Sequence, residues 1–301
     1  TDQGYTLKFP TGNAAPEGNQ RYTDILPSFH AKYAIHSNGN LRFSYARAIN
    51  RPSFFEIVPY SIINEDYKEK GNPELKHTVA DNIDLRYEFF PRSSEQLMVG
   101  LFYKNIKDPI EYGLLNEGQD TYYKPMNFGT ANNWGLEVDI LKYFNWLGIK
   151  ANYTYTYSKI TTEKRVMQGS EVTTTTQSRP LFGQAAHVAN ISFLLKDSKH
   201  GWEGQLAMGY TGKRLSDISN WADNDIWEKG YTQLDASIEK TLPRGFCLFL
   251  KASNLLNIPV LRYVHQSERT ANVDSERDNS NLVERKSWHG QSLMIGARFR
   301  L

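Results

Sequence analysis

Alternating apolar and polar residues recur along the whole chain, and this period of two is its dominant pattern. Such alternation predicts β-strands, whose side chains point to opposite faces in turn. The pattern predicts about eleven strands of roughly 9 to 13 residues, a length that crosses a bilayer when the strand is tilted. The alternating runs lie at 29–35, 41–45, 83–89, 97–103, 136–140, 151–157, 189–195, 202–210, 234–238, 246–252 and 293–301.

The connections between these runs alternate between short and long. Short turns lie near 36–40, 91–96, 143–146, 197–201 and 242–245, and long polar segments lie near 52–77, 108–130, 161–183, 214–229 and 256–287. Short turns at one end of a barrel and long loops at the other are typical of outer-membrane β-barrels. A soluble β-sandwich is the alternative, but nothing in that fold requires every long loop to lie along one edge.

The two faces of the predicted strands differ in chemistry. One face is aliphatic and aromatic, whereas the other carries charges that a packed core would not accept but a water-filled or plugged lumen would. We expect these charges to line the lumen, either in contact with a plug or around an open pore. They include Arg86, Glu88, Asp139, Asp235, Arg298 and Arg300, with Asp84, Glu137 and Glu239. The predicted fold class is therefore all-β, a transmembrane antiparallel β-barrel.

Composition narrows the function classes. The 301-residue chain has a formal net charge of +2 and one cysteine, Cys247. A charge so close to neutral gives no general attraction for nucleic acid, and one cysteine cannot form an internal disulfide. Aromatic residues make up 13% of the chain, which suits β-strands and the girdles that barrels place at membrane interfaces. No run of eighteen apolar residues occurs, so no transmembrane helix is predicted.

Catalytic and metal-binding motifs are missing from the sequence. There is no G-x-S-x-G, H-E-x-x-H or C-x-x-C pattern. His265 lies in the last long loop and His289 lies beside it, but solvated loop histidines are far commoner than histidine metal ligands. The acids in Asp223-Asn224-Asp225 lack the glycine and distal glutamate of a calcium loop, so we expect them to be solvated. We predict no catalysis, no cofactor and no metal.

The long loops combine aromatic rings with hydrogen-bonding groups, a combination that suits sugars, siderophores or peptides. The alternative is that these rings pack the loops against each other. Segment 161–179, with four consecutive threonines, has no apolar period, and we expect it to be flexible. The candidate ligand-binding residues are Tyr112, Asn116, Tyr122, Tyr123, Trp221, Asp223, Trp227, Arg262, Tyr263 and His265.

The number of predicted strands is odd, whereas single-chain bacterial barrels have even numbers. Tyr5, Leu7 and Phe9 also alternate, as if they ended an earlier strand, and segment 11–23 then reads as another long loop. We therefore expect residues 1–301 to be the C-terminal part of a larger barrel.

Several segments, in order along nearly the whole chain, resemble the TonB-dependent outer-membrane receptors. They are YARAINRPS at 45–53, VPY at 58–60, KGNPELK at 70–76, NIDLRYE at 82–88, FYKNIKDPI at 102–110, NFGTA at 127–131 and NLLN at 254–257. Each motif is short, and their ordered series carries the resemblance. The chain is most similar to the large single-component receptors of Bacteroidetes and xanthomonad-type bacteria.

The resemblance implies a barrel of about 22 strands, of which this chain would supply the second half, and a plug domain that this chain does not contain. It implies energised uptake of a bulky, scarce solute (a siderophore, oligosaccharide, cobalamin or peptide) across the outer membrane of a Gram-negative bacterium. The implied partners are the plug and the N-terminal barrel half, the TonB complex through the plug, outer-membrane lipid and a surface lipoprotein, with no nucleic acid. A passive porin and a structural or adhesive barrel are the alternatives.

Overall fold

The computed structural model describes residues 3–6, 19–58, 60–63, 68–117, 120–265 and 281–299. Within these ranges the chain is almost entirely β-structure, with one helical turn, α1 (Phe54–Ile57), and one 3-10 turn (Pro243–Gly245). No helix in the described ranges is long and apolar enough to cross a membrane. The strands are β1 (Gln3–Thr6), β2 (Asn19–Tyr22), β3 (Ser28–His36), β4 (Gly39–Asn50), β5 (Ser61–Ile63), β6 (Lys68–Lys70), β7 (Thr78–Phe89), β8 (Gln96–Lys107), β9 (Ile110–Glu117), β10 (Asp120–Asn127), β11 (Thr130–Phe144), β12 (Leu147–Gln168), β13 (Glu171–Arg179), β14 (His187–Asp197), β15 (Trp202–Thr211), β16 (Arg214–Ser219), β17 (Ile226–Glu228), β18 (Tyr231–Thr241), β19 (Phe246–Ser253), β20 (Val260–His265), β21 (Asn281–Ser287) and β22 (Ser292–Phe299).

Eleven strands form one antiparallel meander, which we call the wall sheet. Its order is β3, β4, β7, β8, β11, β12, β14, β15, β18, β19 and β22, and each strand pairs with the next one in this order. Each alternating run of the sequence coincides with one of these strands, apart from residues 300 and 301, which lie outside the described residues. The prediction of an antiparallel sheet of eleven barrel-type strands is confirmed.

The wall sheet separates apolar from polar side chains, as the alternation predicts. Phe43, Leu85, Leu101 and Leu136 are successive cross-strand partners on one face. Leu101 is 55% exposed and Leu85 is 41% exposed. A large exposed band of this kind is expected where a surface contacts lipid instead of water.

The short turns join neighbouring strands at one end of the wall sheet, and Glu95 organises one of them. Its side chain, 1% exposed, accepts a hydrogen bond from Lys142 Nζ at 2.8 Å, and Arg92 Nη1 lies 3.7 Å from it. The backbone nitrogen of Tyr143 donates to the same carboxylate at 3.4 Å. The hydrogen bond from Lys142 holds the pKa of Glu95 below its ordinary value, against the opposing effect of burial.

The long connections form further strands at the other end of the wall sheet. Four of them supply an eight-stranded sheet, the loop sheet, with the order β21-β20-β17-β16-β9-β10-β6-β5. In the fifth, β12 continues past the wall and pairs with β13 to form a hairpin. Segment 161–179, which we expected to be flexible, thus forms two paired strands, and the 22 residues of β12 exceed the predicted strand length. β-Branched threonines favour extended backbone, which accounts for both differences.

Most of the deeply buried side chains belong to the loop region. Leu75 and Leu215 are 0% exposed, and Ile160 and Ile218 are 1% exposed. A single-layered wall cannot bury residues between layers, whereas loops that fold over one another can. At the start of the chain, β1 pairs only with β2 among the described strands, so Tyr5 is not part of the wall sheet; Leu7 and Phe9 lie outside the described residues.

We predict that Glu95→Gln makes the barrel less stable at neutral pH and less sensitive to acid. Because its pKa is lowered in the folded state, Glu95 contributes stability that is present above its ordinary pKa of about 4.5 and is lost as pH falls through the lower folded-state value. The measurement is the unfolding temperature in detergent between pH 3 and 7. Unfolding is followed by gel electrophoresis as the loss of the heat-modifiable band, which is the band of the folded barrel. The exposed carboxylate of Glu163 serves as the control, as Glu163→Gln. An unchanged pH profile for Glu95→Gln would contradict the assigned role.

We predict that Gly135→Ala destabilises the wall sheet by about 1–3 kcal/mol, because overpacking costs that much. A Cβ atom at Gly135 would lie 1.9 Å from the Tyr155 carbonyl oxygen and 2.6 Å from the Phe102 ring. Gly100→Ala, on the neighbouring strand β8, is the matched control, since its nearest contact would be an ordinary 3.6 Å. Urea unfolding of both variants in micelles measures the difference, and equal midpoints would refute the close-approach argument.

Candidate functional site

Direct strand pairing joins the long loops to one another. Parallel pairing connects β16 to β9 through Ile218 and Gly113, and connects β10 to β6 through Tyr122 and Lys68. Antiparallel pairing connects β17 to β20 through Trp227 and Tyr263. The loops therefore present one continuous surface at the mouth of the barrel-type wall, and this surface is the candidate ligand site.

One face of the loop sheet carries a cluster of tyrosines. The rings of Tyr112 and Tyr123 stack with centroids 5.0 Å apart and an interplanar angle of 22°. Tyr60 Oη donates a hydrogen bond to Glu69 Oε1 at 2.8 Å. Burial and this hydrogen bond raise the pKa of Tyr60 to about 12, and burial also raises the pKa of Tyr112. These phenols therefore stay protonated at neutral pH and keep their capacity to donate hydrogen bonds.

Two lysine ammonium groups lie near the Tyr122 ring. Lys68 Nζ and Lys70 Nζ lie 5.9 Å and 4.8 Å from its centroid. Tyr122 pairs with Lys68, and Tyr123 pairs with Glu69. Because side chains alternate along a strand, the lysines and the glutamate point to opposite faces of the sheet. The loop sheet thus offers an aromatic and cationic face near β6 and β10.

The candidates on β17 and β20 have structural partners. Arg262 forms ion pairs with Asp217 and with Glu284, the latter at 3.2 Å between Nε and Oε2. Tyr263 is 9% exposed, and burial raises its pKa. Lys213 Nζ lies 4.9 Å from the Trp227 ring. The Arg262–Asp217 pair joins two neighbouring loops, whereas the other two contacts lie within one loop each.

The candidates Trp221 and Asp223 lie where the hairpin of β12 and β13 meets the loop sheet. Asp223 Oδ1 accepts a hydrogen bond from Gln177 Nε2 at 2.8 Å. Trp221 forms an isolated parallel bridge with Arg165. The neighbouring Asp225 is 5% exposed, so our expectation that this acid is solvated is wrong. The reason is the ammonium of Lys164, which crosses from the hairpin to meet it.

Two buried ion pairs at this contact are the main features that the sequence reading missed. Lys164 Nζ lies 2.6 Å from Asp225 Oδ1, and Arg179 Nη2 lies 2.8 Å from Glu111 Oε2. All four side chains are at most 6% exposed. Burial lowers the pKa of Lys164, although Asp225 opposes this effect. If the alternation is continued beyond residue 160, Lys164 lies on the same strand face as Ile160. This position was the signal in the sequence that Lys164 could be buried.

The structure brings together only some of the predicted ligand residues. Tyr112 on β9 stacks on Tyr123 on β10, and Trp227 on β17 pairs with Tyr263 on β20, but β16 separates these two groups in the loop sheet. The side chains of Asn116 and His265 lie outside the described residues. No group of three or more metal-ligating His, Cys, Asp or Glu residues occurs in the part of the chain that the structure describes.

The polar face of the wall sheet carries charges that pair laterally. Arg42 Nε donates to Glu88 Oε2 at 2.7 Å, and Arg86 Nη2 lies 3.6 Å from Glu137 Oε2. The other predicted lumen residues are also engaged: Asp139 accepts from Gln96 Nε2 at 2.5 Å, Asp235 accepts from the Asn254 nitrogen at 2.7 Å, and Arg298 pairs with Glu239. Arg300 lies outside the described residues. The paired charges leave the face polar and hydrated, in contrast to the opposite face.

Comparison with known proteins agrees with this architecture. The family model described as "TonB dependent receptor-like, beta-barrel" matches residues 2–255. Similar solved structures include the siderophore receptor PiuA from Acinetobacter baumannii (15% identity, TM-score 0.64, 99% of this chain covered) and the siderophore receptor PirA from the same organism (15%, 0.55, 80%). A G324V mutant of the ferric enterobactin receptor PfeA from Pseudomonas aeruginosa is 17% identical, with a TM-score of 0.53 over 80% of this chain. None of the curated protein sequences compared with this chain matches it.

The chain belongs to the TonB-dependent receptor-like β-barrel family, because the family model covers most of its length. The three solved structures share its fold. The chain spans 35% to 38% of the length of these receptors.

Proposed function

We propose that this chain is part of an outer-membrane receptor of a Gram-negative bacterium that takes up a bulky, scarce solute with energy delivered through TonB. The observation that carries the proposal is the wall sheet, which has one apolar face and one charged face and is covered by paired loops at one end only. The membership of the chain in the receptor family supports the same function. Catalysis has no role in this proposal.

The direction of the wall strands supports a larger closed barrel. The sheet contains eleven antiparallel strands, so its edge strands β3 and β22 run in the same direction. A closed and fully antiparallel barrel that includes this sheet therefore needs an odd number of further strands. About eleven more strands would give the roughly 22 of large outer-membrane transporters. We propose that an N-terminal barrel half supplies them.

The charged face supports a lumen that holds a plug domain. Pairs such as Arg42 with Glu88 and Arg86 with Glu137 lie part-exposed on this face. Exposed ion pairs are weak and easily re-paired, so they suit contact with a hydrated domain that moves during transport. The plug would carry the contact to the TonB complex, and outer-membrane lipid would surround the apolar face.

A ferric siderophore is the first solute class to test. The similar solved structures are siderophore receptors by name, one of them for ferric enterobactin. The loop sheet adds support, because Lys68 and Lys70 beside Tyr122 combine positive charge with an aromatic face, which suits an anionic and aromatic ligand. Oligosaccharides, cobalamin and peptides remain the other solute classes.

The test uses the full-length receptor in cells with and without TonB, with radioactive ferric enterobactin as the probe. We expect iron uptake that depends on both the receptor and TonB. Replacing Lys68 and Lys70 together by glutamine should weaken binding roughly 10-fold, because a cation that faces an aromatic ring of the ligand contributes about 0.5–1 kcal/mol and two such cations are lost. Lys286→Gln is the matched control, since Lys286 Nζ lies 4.7 Å from the Trp288 ring at the other end of the loop sheet.

Two outcomes separate the levels of the proposal. If the receptor takes up another solute in a TonB-dependent way and does not take up ferric enterobactin, only the siderophore assignment is overturned. Ion current through the full-length receptor in planar bilayers without TonB would favour a passive porin and overturn the proposed function.

A further inference from the structure

The hairpin formed by residues 160–179 stands apart from the wall sheet. The pairing of β12 with β14 ends at Tyr155, and its pairing with β11 ends at Ile160. Beyond Ile160, β12 pairs only with β13 among the described strands. The hairpin is thus joined to the wall through β12 and through segment 180–186, in which Gly183 has a φ of +71°. Both connections lie at its base.

The inner face of the hairpin meets the loop sheet mainly through polar groups. The two buried ion pairs, Lys164 with Asp225 and Arg179 with Glu111, tie it to two different loops. Lys164 Nζ also donates to the Ser219 carbonyl oxygen. At Arg165, two backbone hydrogen bonds of 2.7 Å and 2.9 Å complete the contact. Breaking one such buried pair by removing a single partner is strongly destabilising, although an intact pair adds little net stability.

The same contact leaves polar atoms unsatisfied. Thr162 Oγ1, Gln177 Oε1, Asn220 Oδ1 and Arg179 Nε are buried and have no hydrogen-bond partner among the described residues. Thr162 and Gln177 are cross-strand partners on the hairpin, and Asn220 lies in the segment that faces them. A buried polar group without a partner costs free energy that it regains when water reaches it. The closed contact is therefore held by the ion pairs and opposed by its unsatisfied atoms.

The loop sheet beneath is built differently. Its strands are joined by backbone ladders, and Leu215 and Ile218 on β16 are buried completely or almost completely. Opening these ladders would break backbone pairing and wet apolar side chains. The cheapest separation in this region is between the hairpin and the loop sheet.

We propose that hairpin 160–179 is a hinged lid, latched onto the loop sheet by the Lys164–Asp225 and Arg179–Glu111 pairs, and that it opens as a unit while the loop sheet stays folded. The hinge lies at the base, where β12 leaves the wall sheet and where the chain leaves β13 after Arg179. The return segment itself stays on the loop sheet, since Phe182 N donates to Glu111 Oε1 at 2.6 Å and Gly183 N donates to the Leu215 carbonyl oxygen at 2.9 Å. This motion is a property of the hairpin contact and does not depend on which solute is transported.

The test measures how fast a thiol on the inner face of the lid reacts in the full-length receptor on intact cells. The buried Cys247 is replaced by serine, and Thr162→Cys is added as the probe. A membrane-impermeant maleimide then reaches Cys at 162 only when the lid opens. Thr161→Cys, on the exposed face of the same hairpin, is the positive control, and Ile218→Cys, in the core of the loop sheet, reports unfolding of that sheet.

We expect the thiol at 162 to react slowly, but faster than the one at 218. Asp225→Asn and Glu111→Gln, each of which breaks one latch, should each raise the rate at 162 about 10-fold or more without changing the rate at 218. Glu88→Gln, which breaks an ion pair of 2.7 Å on the wall, should change neither rate.

Equal rates at 162 and 218 would overturn the lid, because hairpin and loop sheet would then open together. A rate at 162 that neither latch variant changes would overturn the latch. Using two latches on different loops keeps the test decisive if one variant fails to fold, which loss of the heat-modifiable band would reveal.

Discussion

A membrane-spanning sheet must satisfy every backbone hydrogen bond within itself, since lipid offers no partners. The wall sheet meets this constraint at its interior strands, each of which pairs with a neighbour on both sides, whereas its edge strands β3 and β22 each pair on one side among the described strands. Because the sheet is one layer thick, each strand presents one face to lipid and the other to water, and the side chains must alternate accordingly. The same constraint explains why deep burial occurs mainly outside the wall. Only where the chain leaves the membrane do loops fold over one another and enclose residues such as Leu75 and Leu215.

The alternation made the wall predictable from the sequence. Phe43 and Leu85 face one way and Arg42 and Arg86 the other, because lipid and water select side chains independently of any tertiary detail. The loop strands do not have one face in lipid and the other in water, so this selection does not act on them. In β9 and β10, Glu111 is buried and ion-paired while Tyr112 on the opposite face is stacked, so both faces contact protein and no simple period marks the strands.

The candidate site was predictable in composition but not in arrangement. Aromatic and polar residues do gather in the loops, yet which of them meet depends on pairings between distant segments. Tyr122 meets Lys68 through a parallel pair that spans more than fifty residues, and no local pattern encodes it. The buried acid Asp225 was misjudged for the same reason. Its partner Lys164 belongs to another loop, and only the folded hairpin carries that ammonium to it.

The chemistry of the hairpin contact is consistent with an opening motion. An apolar contact of the same extent would hold the hairpin more firmly, but each opening would then expose apolar surface to water at a cost proportional to the area. A polar inner face carries little of that cost, since Thr162, Gln177 and Lys164 are all well hydrated when exposed. Buried ion pairs supply orientation, because each of these cations forms its ion pair with a single carboxylate within the described part of the chain, and closure restores that pairing. The hairpin contact is thus less stable than an apolar contact but can open and close reversibly. The loop sheet beneath it stays folded, because its backbone ladders and its apolar core are not broken when the hairpin opens.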